Sequence, residues 1–589
     1  MQSRAEKTYR EGMRRFFTSV SVIAVLAAAL TTPIAAQAAT AAPVAKWPKP
    51  PANTKVTFRF GLLRDDAGAA AKLKDVSDPT STAFRSWLDE SAINASYGAS
   101  SATKKAVRSY FKQHGFTAKV DPSGVFVAVT GKASQWTSLL NVPLTMTAND
   151  TAYDLAGTAI FARKAPVLPS ALIGLVTEAV YFDVTSQKIK GALPGAPAPT
   201  QNDGDPVAGA PVNNGTWVGS CTKAEQGTQA YSFGQVATAY GITNLSNTSV
   251  GVVTFGEGIA NRSLHAAENC WGWPNKNPRY VLTANQTKKA NLKSFTGFSE
   301  PQLDAQIVRG FIPNATLVNY QGFVDFNLWF NVLAGAYNDP QRPSVLSISY
   351  EECELNIADS TSSRGLFDAI ALRLGLAGTS VLTASGDSGA AMCDATTSVG
   401  YPATSPYVLA VGGTRLVVNA ANARTDEVAW NDYAWLADGD GGGASGGGVS
   451  VLEAKPWWQV NVATQYSNRV IPDVAAHSSM FPAWPVIYRL KNAKGEWKRQ
   501  YDLIAGTSAA TPLIATMIAS ANASRADGKQ LGFVNPVLYA KGAADQATSF
   551  TDVTSGNNAV AGQSTGYSAT TGFDLVTGWG VPKLAAFTQ

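Results

Sequence analysis

Ser508 stands where the sequence could place a nucleophile. A glycine and a threonine precede it and two alanines follow it, a run of small residues that can start a helix. A serine at a helix N-terminus lies beside the positive end of the helix dipole, where it can attack an electrophile. Its alcohol still needs a base, and the three histidines of the chain stand in no context typical of a serine-hydrolase base.

Carboxylates are the alternative base. Glu300 and Asp304 are four residues apart, a spacing that puts both carboxyls on one face if the segment is helical. Asp387 follows the apolar, β-branched run 379–383 and stands among glycines and serines. Taken singly, the Glu300/Asp304 pair is typical of a solvated helix face, and Asp387 is typical of a turn or a helix cap.

The three motifs together resemble those of the sedolisin family of serine-carboxyl peptidases. They are GTSAATP around Ser508, SGDSGA around Asp387 and the Glu300/Asp304 pair, and they occur in the order of that family. The resemblance implies a subtilisin-like fold and four catalytic residues. Ser508 would be the nucleophile and Glu300 the base, with Asp304 as its partner and Asp387 as the hydrogen-bond donor to the oxyanion.

This assignment fits chemistry in acid. Two close carboxyls resist double ionisation, so Glu300 and Asp304 should share a proton. A carboxylate base still accepts a proton at a pH where a histidine is already protonated. Asp387 must be protonated to donate a hydrogen bond to the oxyanion, so activity should fade as the pH rises. We therefore predict an acid-acting endopeptidase.

A second site is implied near the C-terminus, where the chain resembles the calcium loop of the same family. The match assigns one structural Ca²⁺ to the side chains of Asp552 and Asp574 and to the carbonyl oxygens of Val553, Thr570 and Gly572. Carboxylates and carbonyls are the ligands that this hard cation takes. Thr570 departs from the family, because relatives often have glycine there.

The N-terminus has the features of an export signal. Five basic residues precede the apolar run 16–30, and Ala36, Gln37 and Ala38 form a small-x-small cleavage site. An apolar run of about fifteen residues is too short for an ordinary membrane span. We predict a signal peptide over 1–38 and a secreted protein, either extracellular or periplasmic.

The rest of the chain divides into three predicted parts. Residues 39–186 combine a predicted helix at 103–114 with a bounded strand at 124–131, and they resemble the small α+β activation propeptide of sedolisins. Residues 187–215 are rich in Pro, Gly, Ala and Asn, which is typical of a linker open to maturation cleavage. Residues 216–589 form the predicted sedolisin-like peptidase domain with its C-terminal calcium loop.

Apolar runs alternate with helical stretches in this last part. The runs are 250–255, 315–320, 344–350, 379–383 and 407–411, and a helical stretch at 366–374 lies between two of them. Buried runs of this kind favour a mostly parallel sheet in an α/β architecture. The glycine-rich run 438–450 is typical of a linker, yet it also resembles the substrate-side glycine segment of the family.

Charge and cysteine content limit the partners. Residues 1–190 carry 23 basic against 13 acidic residues, which leaves 24 against 29 in the remainder, so the two parts should attract each other. The basic residues form no dense run with interleaved aromatics, which disfavours nucleic-acid binding. The expected partners are protein or peptide substrates and the chain's own propeptide as an intramolecular inhibitor, and we expect a monomer with no membrane span. Four cysteines permit two disulfides in three pairings, of which Cys221–Cys270 and Cys353–Cys393 are preferred.

Three alternatives stay open at this point. The GDSG sequence at 386–389 also resembles chymotrypsin-type proteases, with Ser388 as nucleophile, although that fold needs its histidine upstream and His265 lacks the context. A tripeptidyl-peptidase of the sedolisin family would use the same catalytic residues as an endopeptidase. An exported binding protein could keep the fold without the chemistry.

Overall fold

The computed structural model describes two folded parts of the chain. It covers residues 48–146, 158–162, 164, 166–185, 201–202, 207–221, 229–242, 245–256, 258–283, 300–322, 325–393, 397–436, 442–491, 495–560 and 565–587. The predicted signal peptide, 1–38, and most of the predicted linker lie outside these residues. We refer to the described residues of 48–185 as the N-terminal domain and to those of 207–587 as the C-terminal domain.

The N-terminal domain is built from short helices and two small sheets. Its helices are α1 (Asp66–Ser77), α2 (Glu90–Tyr97), α3 (Ser101–Gln113) and α4 (Ala133–Leu140). Its strands are β1 (Lys55–Leu62), β2 (Thr117–Val120), β3 (Phe126–Lys132), β4 (Leu144–Met146), β5 (Thr158–Ala162), β6 (Val176–Val180) and β7 (Phe182–Thr185). One sheet has the order β2-β3-β1-β6 and the other β4-β5-β7.

The pattern of β1 explains why it runs inside the first sheet. Phe58 and Phe60 point to one face and pack on Trp136, with ring centroids 4.8 and 6.0 Å away. Arg59 points to the other face, where its Nη1 lies 3.1 Å from Asp183 Oδ1 in a buried ion pair. The predicted helix and strand are present as α3 and β3. The α+β prediction for this domain is therefore confirmed.

The C-terminal domain carries the remaining strands. They are β8 (Gln201–Asn202), which precedes it in the chain, β9 (Ser249–Phe255), β10 (Arg279–Leu282), β11 (Thr316–Gly322), β12 (Val345–Ile348), β13 (Glu352–Cys353), β14 (Ser380–Ala384), β15 (Gly400–Tyr401), β16 (Leu409–Val418), β17 (Arg424–Ala429), β18 (Gly448–Ala454), β19 (Asn468–Ile471), β20 (Val474–His477), β21 (Trp484–Lys491), β22 (Trp497–Ile504), β23 (Phe550–Thr551) and β24 (Val581–Pro582).

Eight of these described strands form one sheet. Its order is β10-β11-β9-β12-β14-β16-β17, and β20 also pairs with β16. Every pair is parallel except β16 with β17. Strands β9, β11, β12, β14 and β16 overlap the five predicted apolar runs, and β12 and β14 are buried along their whole length, as parallel strands are. The predicted α/β fold with a mostly parallel sheet is confirmed.

Helices cover this sheet. They are α5 (Phe233–Tyr240), α6 (Asn261–Trp271), α7 (Glu300–Phe311), α8 (Phe330–Tyr337), α9 (Thr361–Leu376), α10 (Thr507–Ser524) and α11 (Asn535–Ser549). Sixteen of the eighteen residues of α10 are buried, because the helix packs on α7 and along β12, β14 and β16. A helix enclosed on all sides can be apolar all round, which explains its many alanines.

The two domains pack through α9, which contacts α1 and β6. Among the described residues, two ion pairs join the domains: Arg373 Nη1 lies 2.8 Å from Asp66 Oδ1, and Arg342 Nη2 lies 2.6 Å from Glu90 Oε1. In both pairs the carboxylate belongs to the N-terminal domain. The N-terminal domain thus supplies the negative partner of both ion pairs, although the N-terminal part of the chain carries a positive net charge.

Two disulfides form in the C-terminal domain, Cys221–Cys270 and Cys353–Cys393, and these are the preferred pairings. The described end of the predicted linker packs on this domain, where Asn213 donates hydrogen bonds to the carbonyl of Ala230 and to Oε1 of Gln235. No helix among the described residues has the length and apolar character needed to cross a membrane.

Candidate active site

Three elements bring the predicted catalytic residues together. Glu300 is the first residue of α7, Ser508 is the second residue of α10, and Asp387 lies on the loop after β14. This loop leaves the carboxyl end of a parallel strand, the edge of such a sheet where functional sites occur. The charges of Asp304 and Asp387 and the hydroxyl of Ser508 all influence the Glu300 carboxyl. The four residues therefore occupy one site.

Ser508 is positioned by the residues on both sides of it. Gly506 makes the turn from β22 into α10 with φ of 139°, a backbone conformation that residues with side chains rarely adopt. Pro512 has no N–H, so the carbonyl of Ser508 lacks its intrahelical partner four residues on. The hydroxyl of Ser349, directly after β12, lies 3.3 Å from that carbonyl and can donate to it. This contact ties α10 to the sheet at the nucleophile.

Glu300 and Asp304 are completely buried, and burial raises the pKa of both carboxyls. For Glu300 the charge of Asp304 adds to this rise and the adjacent Ser508 hydroxyl opposes it, so its pKa lies well above the usual value. For Asp304 the hydrogen bond with Ser349 opposes the rise, and its pKa is about 8. Two such carboxyls titrate as a pair. The second proton must leave a pair that is already negatively charged, so its loss is shifted to high pH.

The hydrogen bonds of the pair show which carboxyl is open to the nucleophile. The Ser349 hydroxyl lies 2.8 Å from Asp304 Oδ1 as well as 3.3 Å from the Ser508 carbonyl, yet a hydroxyl has one proton to donate. The shorter contact is the one to Asp304, whose Oδ1 accepts this hydrogen bond, and its Oδ2 has no partner at hydrogen-bonding geometry among the described residues. Both Glu300 oxygens lack a partner at hydrogen-bonding geometry among the described residues. Glu300 is thus the member of the pair that is open to the Ser508 proton.

Asp387 faces the N-terminus of α10. Its Oδ1 accepts hydrogen bonds from the N–H and the hydroxyl of Thr507, both at 2.8 Å. Burial raises its pKa to about 6, while these two bonds oppose the rise. The other oxygen, Oδ2, lies against Gly506, where a methyl group would approach it to 2.7 Å. Below about pH 6, Asp387 is a neutral acid whose proton belongs on Oδ2.

The described part of the glycine-rich run supports the Asp387 loop. Ala444 N–H donates to the Asp387 carbonyl at 2.9 Å, and Gly446 N–H donates to the Gly386 carbonyl at 2.8 Å. A methyl group on Gly446 would come within 2.2 Å of the Ser385 carbonyl. Glycine is therefore required here for close approach of two backbones, which is a structural role.

Two residues of the site were not predicted from the sequence. Ser349 bridges Asp304 and Ser508, as described above, and Glu351 adds a fourth acidic residue that raises the pKa of Glu300. Only 7 % of Glu351 is exposed. Ser349 lies near the end of the predicted run 344–350, and a hydroxyl at the end of a buried strand is the signal that could have identified it. Glu351 directly follows that run, where two adjacent glutamates are typical of a solvated surface.

The histidines are engaged elsewhere. Both ring nitrogens of His477 bind backbone, with Nδ1 accepting from Leu416 N–H at 3.2 Å and Nε2 lying 2.9 Å from the Pro482 carbonyl. Burial lowers the pKa of His477 to about 3, so it stays neutral. His265 lies 3.9 Å from Glu268 on the same helix, and His114 contacts the carbonyl of Tyr110. The geometry leaves Ser388 without a histidine base.

The residues predicted to bind Ca²⁺ are brought together near the C-terminus. Asp552 Oδ2 accepts from Gly572 N–H at 2.9 Å, and Asp574 Oδ2 accepts from Thr570 N–H at 3.0 Å. The carbonyls of Val553, Thr570 and Gly572 accept no hydrogen bond from the described part of the chain. Burial raises the pKa of Asp574 to about 6. Free carbonyls beside a buried carboxyl that lacks a cationic partner form a donor set that fits the ion.

Two family models match the chain. Residues 45–178 match "Pro-kumamolisin, activation domain", and residues 282–536 match "Subtilase family". The first covers most of the N-terminal domain, and the second contains Glu300, Asp304, Asp387 and Ser508. Each of the two folded parts thus matches a different family model.

Curated relatives and a solved structure are similar to the same regions. Kumamolisin of Bacillus sp. (strain MN-32) is 35% identical to this chain, over 48% of its residues. The chain spans about half (49%) of the length of that relative. Sedolisin of Pseudomonas sp. (strain 101) is 27% identical over 95% of this chain and 91% of its own length. A structure of Pseudomonas sedolisin complexed with pseudo-iodotyrostatin matches with a TM-score of 0.54 and 27% identity, over 62% of this chain and 98% of the other. Other relatives carry the name tripeptidyl-peptidase.

The turn at Gly506 provides a test of how the site is held. Gly506→Ala should destabilise the protein by about 1–3 kcal/mol, because φ of 139° suits glycine alone and the added methyl would meet Asp387 Oδ2. Gly528→Ala is the matched control, since φ there is also positive, at 64°, but the methyl would have open space. Thermal unfolding should show a clearly larger decrease in Tm for Gly506→Ala. Equal decreases would mean that Asp387 does not press on this turn.

Proposed function

Because the chain belongs to the sedolisin family of serine-carboxyl peptidases, we propose that it is an acid-acting endopeptidase whose nucleophile is Ser508. The observation that carries this proposal is the convergence of a helix-start serine with three buried carboxyls, at a site where no described histidine is available. Such a constellation can transfer a proton only through carboxyl groups. It favours a peptidase that works where those groups are partly protonated.

In the first step, Ser508 Oγ attacks the scissile carbonyl carbon while its proton passes to Glu300. Asp304 keeps the shared proton and leaves the negative charge on Glu300, the member beside Ser508. Glu300 then returns its proton to the leaving amine, and water hydrolyses the acyl-enzyme by the reverse sequence. The Ser349 hydroxyl links Asp304 to α10, so the base pair and the nucleophile keep a fixed separation.

Asp387 stabilises the oxyanion in this proposal. Its Oδ1 is occupied by Thr507, so the proton on Oδ2 is the one available to the negative charge that develops on the substrate oxygen. The N–H of Ser508 belongs to the first turn of α10, where N–H groups have no intrahelical acceptor, and it supplies a second donor. Losing one donor of this type costs about 3–4 kcal/mol of transition-state stabilisation.

Two other functions of the same fold compete with this one. Relatives named tripeptidyl-peptidases support the alternative that the enzyme removes tripeptides from a free N-terminus. The products from a long, N-terminally blocked peptide distinguish the two, since only an endopeptidase cleaves it. A non-catalytic binding protein is disfavoured by the intact set Ser508, Glu300, Asp304 and Asp387.

We also propose that the N-terminal domain is an activation propeptide and that the protein is exported. The match of residues 45–178 to an activation domain and the two disulfides support this. The ion pairs of Asp66 and Glu90 with arginines of the C-terminal domain support this role, because they hold the N-terminal domain against the rest of the protein. Maturation cleavage would fall in the linker, 187–215.

We further propose one structural Ca²⁺ at the C-terminal loop. Asp552 and Asp574 would bind it through their carboxylates, and Val553, Thr570 and Gly572 through their carbonyls. When bound, the ion would compensate the buried charge of Asp574 and cross-link the segment after β23 to the loop before β24. The three carbonyls without hydrogen bonds are the feature of the structure that supports this site.

The identity of the nucleophile is tested by a pair of serine variants. Ser508→Ala should remain full length after acidification and should cleave no protein substrate, because among the described residues Ser508 supplies the hydroxyl that acts on Glu300. Ser388→Ala should mature and keep substantial activity, since Ser388 has no base. Gel analysis of maturation and hydrolysis of unfolded protein at about pH 4 give the readout. An active Ser508→Ala with an inactive Ser388→Ala would favour the chymotrypsin-like alternative.

The pH profile tests the role of Asp387. The raised pKa, about 6, means that Asp387 is protonated below that pH and loses its donor proton above it, so kcat/KM should peak in acid and fall as the pH rises through about 6. In Asp387→Asn an amide replaces the acid and donates at any pH, so activity should be lower while the fall near pH 6 moves to higher pH. An unchanged fall in this variant would assign the titration to another group.

Chelation tests the calcium site. An ion that binds only the folded state stabilises by about 2.7 kcal/mol at a hundredfold excess over Kd, so a chelator should lower Tm by several degrees. The measurement uses the full chain with Ser508→Ala, in which self-digestion cannot contribute. Adding Asp574→Ala should remove the sensitivity to chelator, whereas the exposed loop variant Asp527→Ala should keep it. A Tm that chelator does not change in the Ser508→Ala protein would contradict the site.

A further inference from the structure

Glu351 is a buried acid of the site that the reaction described above does not use. It follows Ser349 and Tyr350 at the carboxyl end of β12, so its backbone is two residues from the hydroxyl that links Asp304 to α10. The pairing of β13 with β15 and the Cys353–Cys393 disulfide hold the chain directly after it. Glu351 therefore has a fixed place at the edge of the active site.

The Glu351 carboxyl has no partner among the described residues. Only 7 % of the residue is exposed, yet its oxygens are not among the fully buried polar atoms that lack a partner, so the carboxyl itself reaches solvent. By contrast, the next residue, Glu352, accepts hydrogen bonds from Cys353 N–H and from Asn356. The Glu351 oxygens are therefore accessible and have no protein donor among the described residues, so a ligand that covers them must bring a donor to replace water.

The ionisable groups that influence Glu351, among the described residues, are all acidic. Its titration is influenced by Asp387 and Glu352, and its own charge acts on Glu300. A methyl group placed on Gly386 would lie 3.9 Å from Glu351 Oε1, so this oxygen points toward the Asp387 loop. The missing counter-charge should thus come from outside the described residues.

A metal ion is the weaker candidate for that counter-charge. Among the residues the structure describes, no three acidic, histidine or cysteine side chains converge to hold one. A cation carried on a flexible stem needs only one carboxylate, and lysine and arginine side chains of a substrate have that form. Glu300 and Asp387 flank the scissile carbonyl in the proposed mechanism, and Glu351 acts on both, so such a side chain would come from a residue close to the scissile bond.

We propose that Glu351 determines specificity by binding the ammonium or guanidinium group of a basic substrate residue within two positions of the scissile bond. This inference rests on the proposed peptidase function. A charged donor gives the carboxyl a charge-assisted hydrogen bond, whereas a neutral side chain of the same length would displace water from it without supplying a donor. The discrimination should be about tenfold in kcat/KM, because one hydrogen bond to a charged group contributes roughly that factor.

The test uses a series of quenched fluorescent peptides. Each peptide has lysine at one of the three positions before or the two positions after the scissile bond, and a matched peptide has norleucine there, which keeps the stem and removes the charge. The ratio of kcat/KM values for each pair needs no correction for the fraction of matured enzyme. We expect a ratio of about ten at one position within two residues of the bond and ratios near one elsewhere.

Variants assign the preference to one carboxyl. Glu351→Gln keeps the shape of the side chain and should bring the ratio at that position to about one, while the norleucine peptide is still cleaved. Glu352→Gln is the matched control, because it removes the charge of the neighbouring carboxyl, which already has hydrogen-bond partners. This variant should keep most of the lysine preference. Glu351→Lys should reverse the selectivity, so that a glutamate peptide is preferred to its glutamine match.

The pH dependence adds an independent readout. Burial, Asp387 and Glu352 raise the pKa of Glu351, so the free carboxyl is largely protonated in strong acid and gains charge as the pH rises. The lysine preference should therefore grow with pH, while cleavage of the norleucine peptide falls as Asp387 loses its proton.

The outcomes separate this inference from the proposed function. Cleavage of the norleucine peptides with no lysine preference at any position would overturn the inference and leave the peptidase intact. A lysine preference that persists in Glu351→Gln would overturn it as well. If neither kind of peptide is cleaved, the proposed function itself fails, and the inference fails with it.

Discussion

Burial of carboxyl groups without a cation is the constraint on which this active site depends. Glu300, Asp304, Asp387 and Glu351 lie close enough to influence one another, and burial raises the pKa of each of them. In water such groups would all be ionised near neutral pH, whereas here the site can hold only part of that charge. Proton sharing is therefore a consequence of the packing, and chemistry in acid follows from it.

The fold supplies this environment through a small number of contacts. α10 and α7 pack on each other with almost no exposed residue, which removes water from Glu300 and Asp304. Pro512 frees the Ser508 carbonyl, Ser349 contacts it from the end of β12, and the glycine-rich segment holds the Asp387 loop against α10. Each contact joins a different element to the N-terminal end of α10, so the nucleophile and the acids keep their relative positions. The proposed Ca²⁺ loop lies in the segment after α11 and would contribute to the stability of the domain more than to this chemistry.

Much of this arrangement could be predicted from the sequence. The parallel strands are short apolar runs with clear ends, and Ser508, Glu300, Asp304 and Asp387 stand in motifs whose residue types fit the chemistry. Glu351 could not be predicted in this way, because two adjacent glutamates after a strand are typical of a solvated surface, and only the disulfide and the pairing of β13 with β15 bury the first of them. The signs of the charges at the domain interface were also not predicted. The net charge is a sum over all residues of each part, whereas the interface depends on Asp66 and Glu90 and the arginines that they contact.

The proposed mechanism requires that Asp304 hold the proton of the buried pair while Glu300 holds its charge. Infrared difference spectroscopy of the protonated carboxyl band tests it directly in the Ser508→Ala protein at about pH 4. A band from the pair should be present, should disappear in Asp304→Asn and should persist in Glu300→Gln. If the band disappears in Glu300→Gln and persists in Asp304→Asn, Glu300 carries the proton at the working pH and cannot be the base.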